Sequence, residues 1–181
     1  MTESSPPVEH PINRVRRRDR AVEDETWIRS FLRDAPYGVV ATESKGQPFI
    51  NPLTFVYDEA SHCIYFHTGR AGRIFANIAA NPRLCFNASR MGDLIPATRA
   101  SGFDVEYDSV TVFGRAHVLE DHAEATRALR LLLDKYFPDL RCGEDYSSIT
   151  AADLSRAAVY RLPVDCWSAK RNLARPTRES A

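Results

Sequence analysis

The 181-residue chain has no surplus of charge: 24 Lys and Arg balance 24 Asp and Glu. A protein that coats nucleic acid or an anionic membrane is markedly basic, so any basic site here has to be local. The four cysteines, Cys63, Cys85, Cys142 and Cys166, form no CxxC pair, which argues against zinc knuckles and thioredoxin-type redox motifs. The opening MTESSPPVEHPINRVRRRDR has no apolar h-region, and no run of ~18 apolar residues occurs, so neither a secretory leader nor a membrane-spanning helix is expected. With no oxidising compartment indicated, the thiols read as free and mostly buried in a reducing cytoplasm. Three catalytic signatures are also missing: a GxGxxG fingerprint, a phosphate loop ending in GKS or GKT, and a GxSxG elbow.

What is present is the composition of an ordinary folded domain, 44% hydrophobic and 27% charged. A single domain of this length buries roughly 70% of the surface its unfolded chain exposes and needs no disulfide or metal staple. Residues 1–20 read as a flexible basic arm, broken by Pro6, Pro7 and Pro11. No aromatic residue interleaves its arginines to stack on bases, which favours a solvated lead-in over a nucleic-acid contact. Residues 21–172 hold the domain and 173–181 a polar tail.

Within the domain, Trp27, Ile28, Phe31, Leu32 and Ala35 recur at helical spacing and predict a helix over Glu23 to Ala35, ended by Pro36. Tyr37 to Thr42 and Phe49 to Tyr57 flank an SKGQ turn and predict a hairpin, followed by a strand over Cys63 to His67. TGRAG then opens a helix ending at Ala80. Leu84 to Ala88 and Ser109 to Leu119 read as further strands. Asp121 to Phe137 reads as the best helix, with Asp121 as cap and Glu124 completing a capping box. A short helix over Thr150 to Arg156 and a last strand, Ala157 to Leu162, complete the pattern. No helix separates the first three strands, which excludes a doubly wound parallel sheet. The prediction is a mainly β fold, a six-stranded, mostly antiparallel barrel with peripheral helices.

The most informative stretch is His67-Thr68-Gly69-Arg70-Ala71-Gly72-Arg73, between a strand and a helix. Two glycines allow a tight turn, a helix start offers N–H groups to an anion, and Thr68, Arg70 and Arg73 supply a hydroxyl and two guanidinium forks. On the residues alone, a phosphate site and an ordinary turn with exposed arginines both remain open. No metal site is expected: Cys63 and His67 share a strand face but stand ~13 Å apart, and His62, His117 and His122 have no obvious partners. Cys85, alternating with Leu84 and Phe86, reads as core packing. Trp167, followed by Lys170 and Arg171, reads either as a cover over a flat anionic ligand or as a seal on the core.

GVVAT, GQPFINPLTFVYD, CIYFHTGRAGRIFANIAANPRLCF and YDSVTVFGRAHVLEDHAEATRALRLLLDKYFP occur in an order and spacing that resembles one family. It is that of the pyridoxamine 5′-phosphate oxidase-like flavoproteins with the FMN-binding split barrel, and in particular their nitroimidazole-resistance (Nim) branch. The resemblance covers about Arg17 to Arg171. It implies FMN with its phosphate on Thr68 and Arg73, Arg70 assisting, and the flavin ring along Asn51, Pro52, Leu53 and Thr54. It further implies a cytoplasmic homodimer with the cofactor at the interface, and His67 as a catalytic side chain beside the flavin. Asn87 and Ser89 would reach the cofactor from the next strand, and Trp167 and Lys170 would cover it from the chain end. The implied activity is electron transfer from a reduced donor to a small acceptor, such as a nitro compound. Haem, with His67 or His117 as ligand, and deazaflavin are the alternative cofactors, and a non-catalytic flavin-binding protein the alternative role. Arg73 stands where the Nim branch often has lysine, keeping the charge and adding a fork. Only Arg161-Leu162-Pro163 matches the substrate-binding end of true pyridoxamine phosphate oxidases, which argues against vitamin B6 oxidation.

Overall fold

The computed structural model of the chain describes residues 11–174. In chain order its elements are β1 (Ala21–Val22), α1 (Glu25–Asp34), β2 (Gly38–Ser44), β3 (Gln47–Leu53), β4 (Phe55–Asp58), β5 (Cys63–Gly69) and α2 (Arg73–Ala80). There follow β6 (Arg83–Ile95), β7 (Asp104–Arg115), β8 (His117–Val118), α3 (His122–Tyr136), α4 (Ala151–Arg156), β9 (Ala157–Pro163) and β10 (Cys166–Asn172). The strands form two sheets, in the orders β1-β10-β7-β6-β2-β3 and β4-β5-β9-β8. Every pairing between these strands is antiparallel. The predicted mainly β, antiparallel barrel with helices outside it is the fold observed.

Lys45 and Gly46, both at positive φ, turn β2 into β3, the expected hairpin. The barrel interior is filled by Val40, Phe86, Val110 and Val112 from one sheet and Phe55, Ile64, Phe66, Tyr160 and Leu162 from the other. Rings of Phe55 and Phe86 meet at 4.6 Å between centroids, and Phe66 stacks on Tyr160 at 4.8 Å. Gly38 has to be glycine because a Cβ there would lie 2.0 Å from the Phe86 ring. Helix α1, capped by Asp24, contributes Ile28, Phe31 and Leu32 to this core. A second cluster, including Cys63, Tyr65, Ala125, Ala128 and Leu154, lies under α3.

Several expectations are corrected. The single strand read over Phe49 to Tyr57 is two strands in different sheets: pairing with β2 ends at Leu53, pairing with β5 starts at Phe55, and Thr54 is the seam. The stretch after Pro163, placed in the domain but given no strand, is β10, which pairs with β7 from Cys166 to Asn172. Its mixed polar pattern hid it because one of its faces is half-exposed. With β1, β8 and the split of β3 from β4, the described residues form ten strands where six were expected. Asp121 does cap α3, accepting from the Ala123 N–H, but Glu124 closes no capping box; it accepts instead from the Tyr65 hydroxyl at 3.0 Å. A reciprocal box forms at α4, between Thr150 and Asp153. Within residues 11–20 Val15 is buried, and Arg20 reaches Asp104 at 2.5 Å. Residues 1–10 and 175–181 of the expected arm and tail lie outside the described residues.

Antiparallel partners share a sheet face. Asn51, Val40, Phe86, Val112 and Trp167 therefore form one row on the core side. Ile50, Ala41, Cys85, Phe113 and Cys166 form a row on the opposite, outward side, and all five are half-exposed or exposed.

Candidate functional site

Strand β5 ends at Gly69, and three residues later Gly72 starts α2 with φ 109° and ψ 176°. That backbone conformation is essentially confined to glycine. Among the described residues no side chain caps α2, which leaves its first N–H groups pointing outward with the positive end of the helix dipole behind them. Thr68 comes to this point from the end of β5, Asn51 from β3, and Arg73 from the first turn of α2. They line one open cleft of about 210 Å³ together with Phe49, Ala71 and Gly72.

The side chains are held by local contacts. The Thr68 hydroxyl donates to its neighbour Gly69 O at 2.9 Å and lies 3.5 Å from the Tyr160 hydroxyl. Asn51 donates from Nδ2 to Pro52 O at 2.8 Å. The Arg73 guanidinium stacks on the Phe49 ring, 5.2 Å from its centroid. A guanidinium and helix N–H groups, with a hydroxyl and an amide that would have to give up their local carbonyl bonds, lie on one concave surface and are groups that can bind a phosphate monoester.

The other residues predicted for the site fall elsewhere in a single chain. Arg70 is tied back to the start of β9, its Nε donating to Ala157 O at 3.1 Å. His67 alternates with Thr68 and so sits on the other face of β5, opposite Val159; its ring reaches the surface, and burial by its surroundings lowers its pKa. Leu53 and Thr54 form the seam between the sheets, and Pro52 shares the outward face with Asn87. The Asn87 amide is spent within the sheet, donating to Ser109 Oγ (3.0 Å), Val110 O (3.2 Å) and Thr111 Oγ1 (2.9 Å). Ser89 borders a smaller cleft beside Phe31 and Arg90.

Trp167 shares a row with Asn51 but lies four strand spacings away, ~19 Å. There it meets the edge of His62 at 5.0 Å and Arg29 at 5.2 Å, and it packs against the core. Lys170 lies over Tyr107 at 5.6 Å.

Phe49, the platform under Arg73, was absent from the expected set. Its signal was there, since it stands two residues before Asn51 on the same strand face. Also unforeseen is the knot in which Arg29 donates to the Tyr57 hydroxyl at 2.9 Å, with His62 Nδ1 2.8 Å from that hydroxyl. Among the described residues no group of three or more His, Cys, Asp or Glu side chains is placed to hold a metal ion. No helix among them is long and apolar enough to cross a membrane.

Two antiparallel sheets sharing one core, with helices outside them, define a split-barrel fold. The family model for pyridoxamine 5′-phosphate oxidase matches residues 24–171, and the chain belongs to that family. Among solved structures, the flavocytochrome Anf3 from Azotobacter vinelandii superposes with a TM-score of 0.79 at 26% identity, covering 92% of this chain and 76% of that one. The FAD and heme binding protein from Mycobacterium smegmatis gives 0.77 at 19% identity, covering 87% and 75%. A protein ascribed to 5-nitroimidazole antibiotic resistance, from Bacteroides thetaiotaomicron, gives 0.69 at 22% identity, covering 83% and 86%. No protein of curated function matches the chain.

Proposed function

We propose that this protein is an FMN-dependent oxidoreductase that passes electrons from a reduced donor to a small acceptor, a nitro compound being the leading candidate. The observation that carries the reading is the convergence of Asn51, Thr68 and Arg73 with the uncapped start of α2 on one cleft. Thr68 and Arg73 hold the phosphate, and the edge of the Asn51 to Thr54 segment receives the ring. The flavin, when bound, supplies the hydride and electron chemistry. His67 stands on the opposite face of β5 from this cleft, so its role toward an acceptor is proposed only across a dimer interface, where its lowered pKa keeps it largely neutral at pH 7. The Bacteroides neighbour supports a nitro acceptor, and deazaflavin fits the same phosphate cradle.

The outward row of Ile50, Ala41, Cys85, Phe113 and Cys166 suits a second copy of the chain, giving a homodimer with the cofactor at its interface. The partner's Trp167 and Lys170 are then candidates to complete the pocket that their own chain holds too far away. Four free thiols suit a reducing cytoplasm.

The test is an absorption spectrum of purified protein before and after loading with FMN or FAD and desalting. Retained flavin bands, lost in Arg73→Ala, with turnover of a nitro substrate lost in His67→Ala, support the reading. Colourless protein that refuses flavin sinks it. Haem is the second reading, favoured by the flavocytochrome and the FAD and heme binding neighbour. It predicts a Soret band that disappears in His67→Ala or His117→Ala.

A further inference from the structure

Strand β4 is an edge strand of its sheet, so main-chain groups on its outer side have no neighbouring strand to bond. At Phe55, its first residue, a single side chain supplies both missing partners. The Tyr136 hydroxyl, from the last turn of α3, accepts from the Phe55 N–H at 3.1 Å and donates to Phe55 O at 3.1 Å. The Phe55 ring is fully buried, packed on Phe86 on the barrel side, and the Lys135 ammonium lies 3.9 Å from its centroid. Two consecutive residues of α3 thus grip the backbone and the ring of one residue 81 positions earlier.

That residue directly follows Thr54, where the chain leaves one sheet for the other. Asn51 to Thr54, just before it, is the segment proposed for the flavin ring. An edge strand with unpaired backbone groups would be free to shift against the barrel, and a cofactor ring laid along it would share that freedom. A tyrosine that fills both lone backbone positions removes it. Burial raises the Tyr136 pKa, so the hydroxyl keeps the proton it donates.

We infer that Tyr136 is a positioning residue of the flavin site: by fixing the Phe55 backbone it holds the Asn51–Thr54 seam in the conformation that receives the ring. This rests on the flavin reading above.

The experiment is an FMN titration of wild type, Tyr136→Phe and Leu129→Ala, read by absorption and fluorescence alongside thermal unfolding. Leu129, also on α3, packs against the second cluster, and its truncation destabilises the fold without touching Phe55. The expected result is that Tyr136→Phe raises the Kd about tenfold, the loss of roughly one net hydrogen bond, and blurs the fine structure of the bound-flavin band. Leu129→Ala is expected to lower the Tm while leaving Kd and band shape unchanged. Wild-type affinity and spectrum in Tyr136→Phe overturn the inference alone. An equal loss in both variants also overturns it, since Tyr136 would then act through stability only. Wild-type protein that takes up no flavin overturns the flavin reading and this inference with it. If Tyr136→Phe does not fold, amide exchange in wild type decides: slower exchange at Phe55 on adding FMN supports the coupling, and an unchanged rate overturns it.

Discussion

The guanidinium of Arg73 rests on the ring of Phe49, 5.2 Å from its centroid, so the cation at the cleft is carried on a side chain of β3 while its backbone belongs to α2. The stack orients a fork that would otherwise sample many rotamers. It links the strand proposed for the ring to the turn proposed for the phosphate.

Removing that fork is expected to weaken FMN binding strongly. A charge-assisted hydrogen bond contributes about 1.5–3 kcal/mol, so Arg73→Ala should raise the Kd on the order of 10- to 100-fold. Arg73→Lys should recover part of it, keeping the charge without the fork. Riboflavin, which lacks the phosphate, should bind both variants and wild type alike. Flavin fluorescence quenching measures all three; equal losses for riboflavin and FMN would move the phosphate away from Arg73.

Gly72→Ala places a Cβ at φ 109°, where space is open but the backbone disfavours any side chain. The expected cost is about 1–3 kcal/mol, read by urea unfolding. FMN affinity should fall with it, because the strain is relieved by re-aiming the N–H groups that start α2. Stability lost with affinity intact would uncouple the turn from the ligand.

Lys135 gives a pH signature. Burial pushes its ammonium down to about 8 against the pull of Asp34, and its Nζ finds no hydrogen-bond partner among the described residues. Between the folded value near 8 and the unfolded value near 10.4, the unfolded chain binds the extra proton, so this residue's contribution to stability rises with pH across that window. Below it the penalty is constant. Lys135→Met should therefore be more stable at pH 7, by about 1–2 kcal/mol after allowance for solvent screening. The gap between variant and wild type should close as pH rises towards 10. Chemical denaturation at pH 7, 8.5 and 10 checks this, and a constant gap would show that the ammonium stays charged in the folded state.

The outward face makes a prediction about assembly. Phe113 lies within it, between Cys85 and Cys166. If two copies meet there, Phe113→Arg should convert dimer to monomer in sedimentation velocity, with little change in far-UV circular dichroism. Cys85 should react faster with a thiol reagent in the variant. A monomeric wild type, or a dimer indifferent to Phe113, would remove this face from consideration.

Much of the fold was legible because barrel strands alternate and helices α1 and α3 carry clear caps and stripes. The seam at Thr54 was not, since FINPLTFVY is continuous in β-propensity and only the change of pairing partner divides it. Nor was β10: DCWSAKRN gains its strand character from pairing with β7, a long-range fact that local preference does not encode. Of the residues that line the cleft, Thr68 and Arg73 were expected from turn chemistry and Asn51 from the family resemblance. Arg70 was read from the same turn chemistry and His67 from the family resemblance, yet strand alternation turns His67 away from the cleft and a bond to the Ala157 carbonyl holds back Arg70. Tyr136 carried no local signal, because its role exists only where α3 crosses the edge of β4.

The pairing of Ala21 with Lys170 has a kinetic consequence. Each sheet is assembled from pieces scattered along the chain, and the last strand is needed before the first has a neighbour. The six-stranded sheet draws on Ala21 through Asn172, so a chain truncated before β10 lacks its last strand, whereas all four strands of the other sheet lie within Phe55–Pro163. Such high contact order places folding in the slow range of milliseconds to seconds. Until β10 docks, the edge of β7 stays open to pairing between molecules.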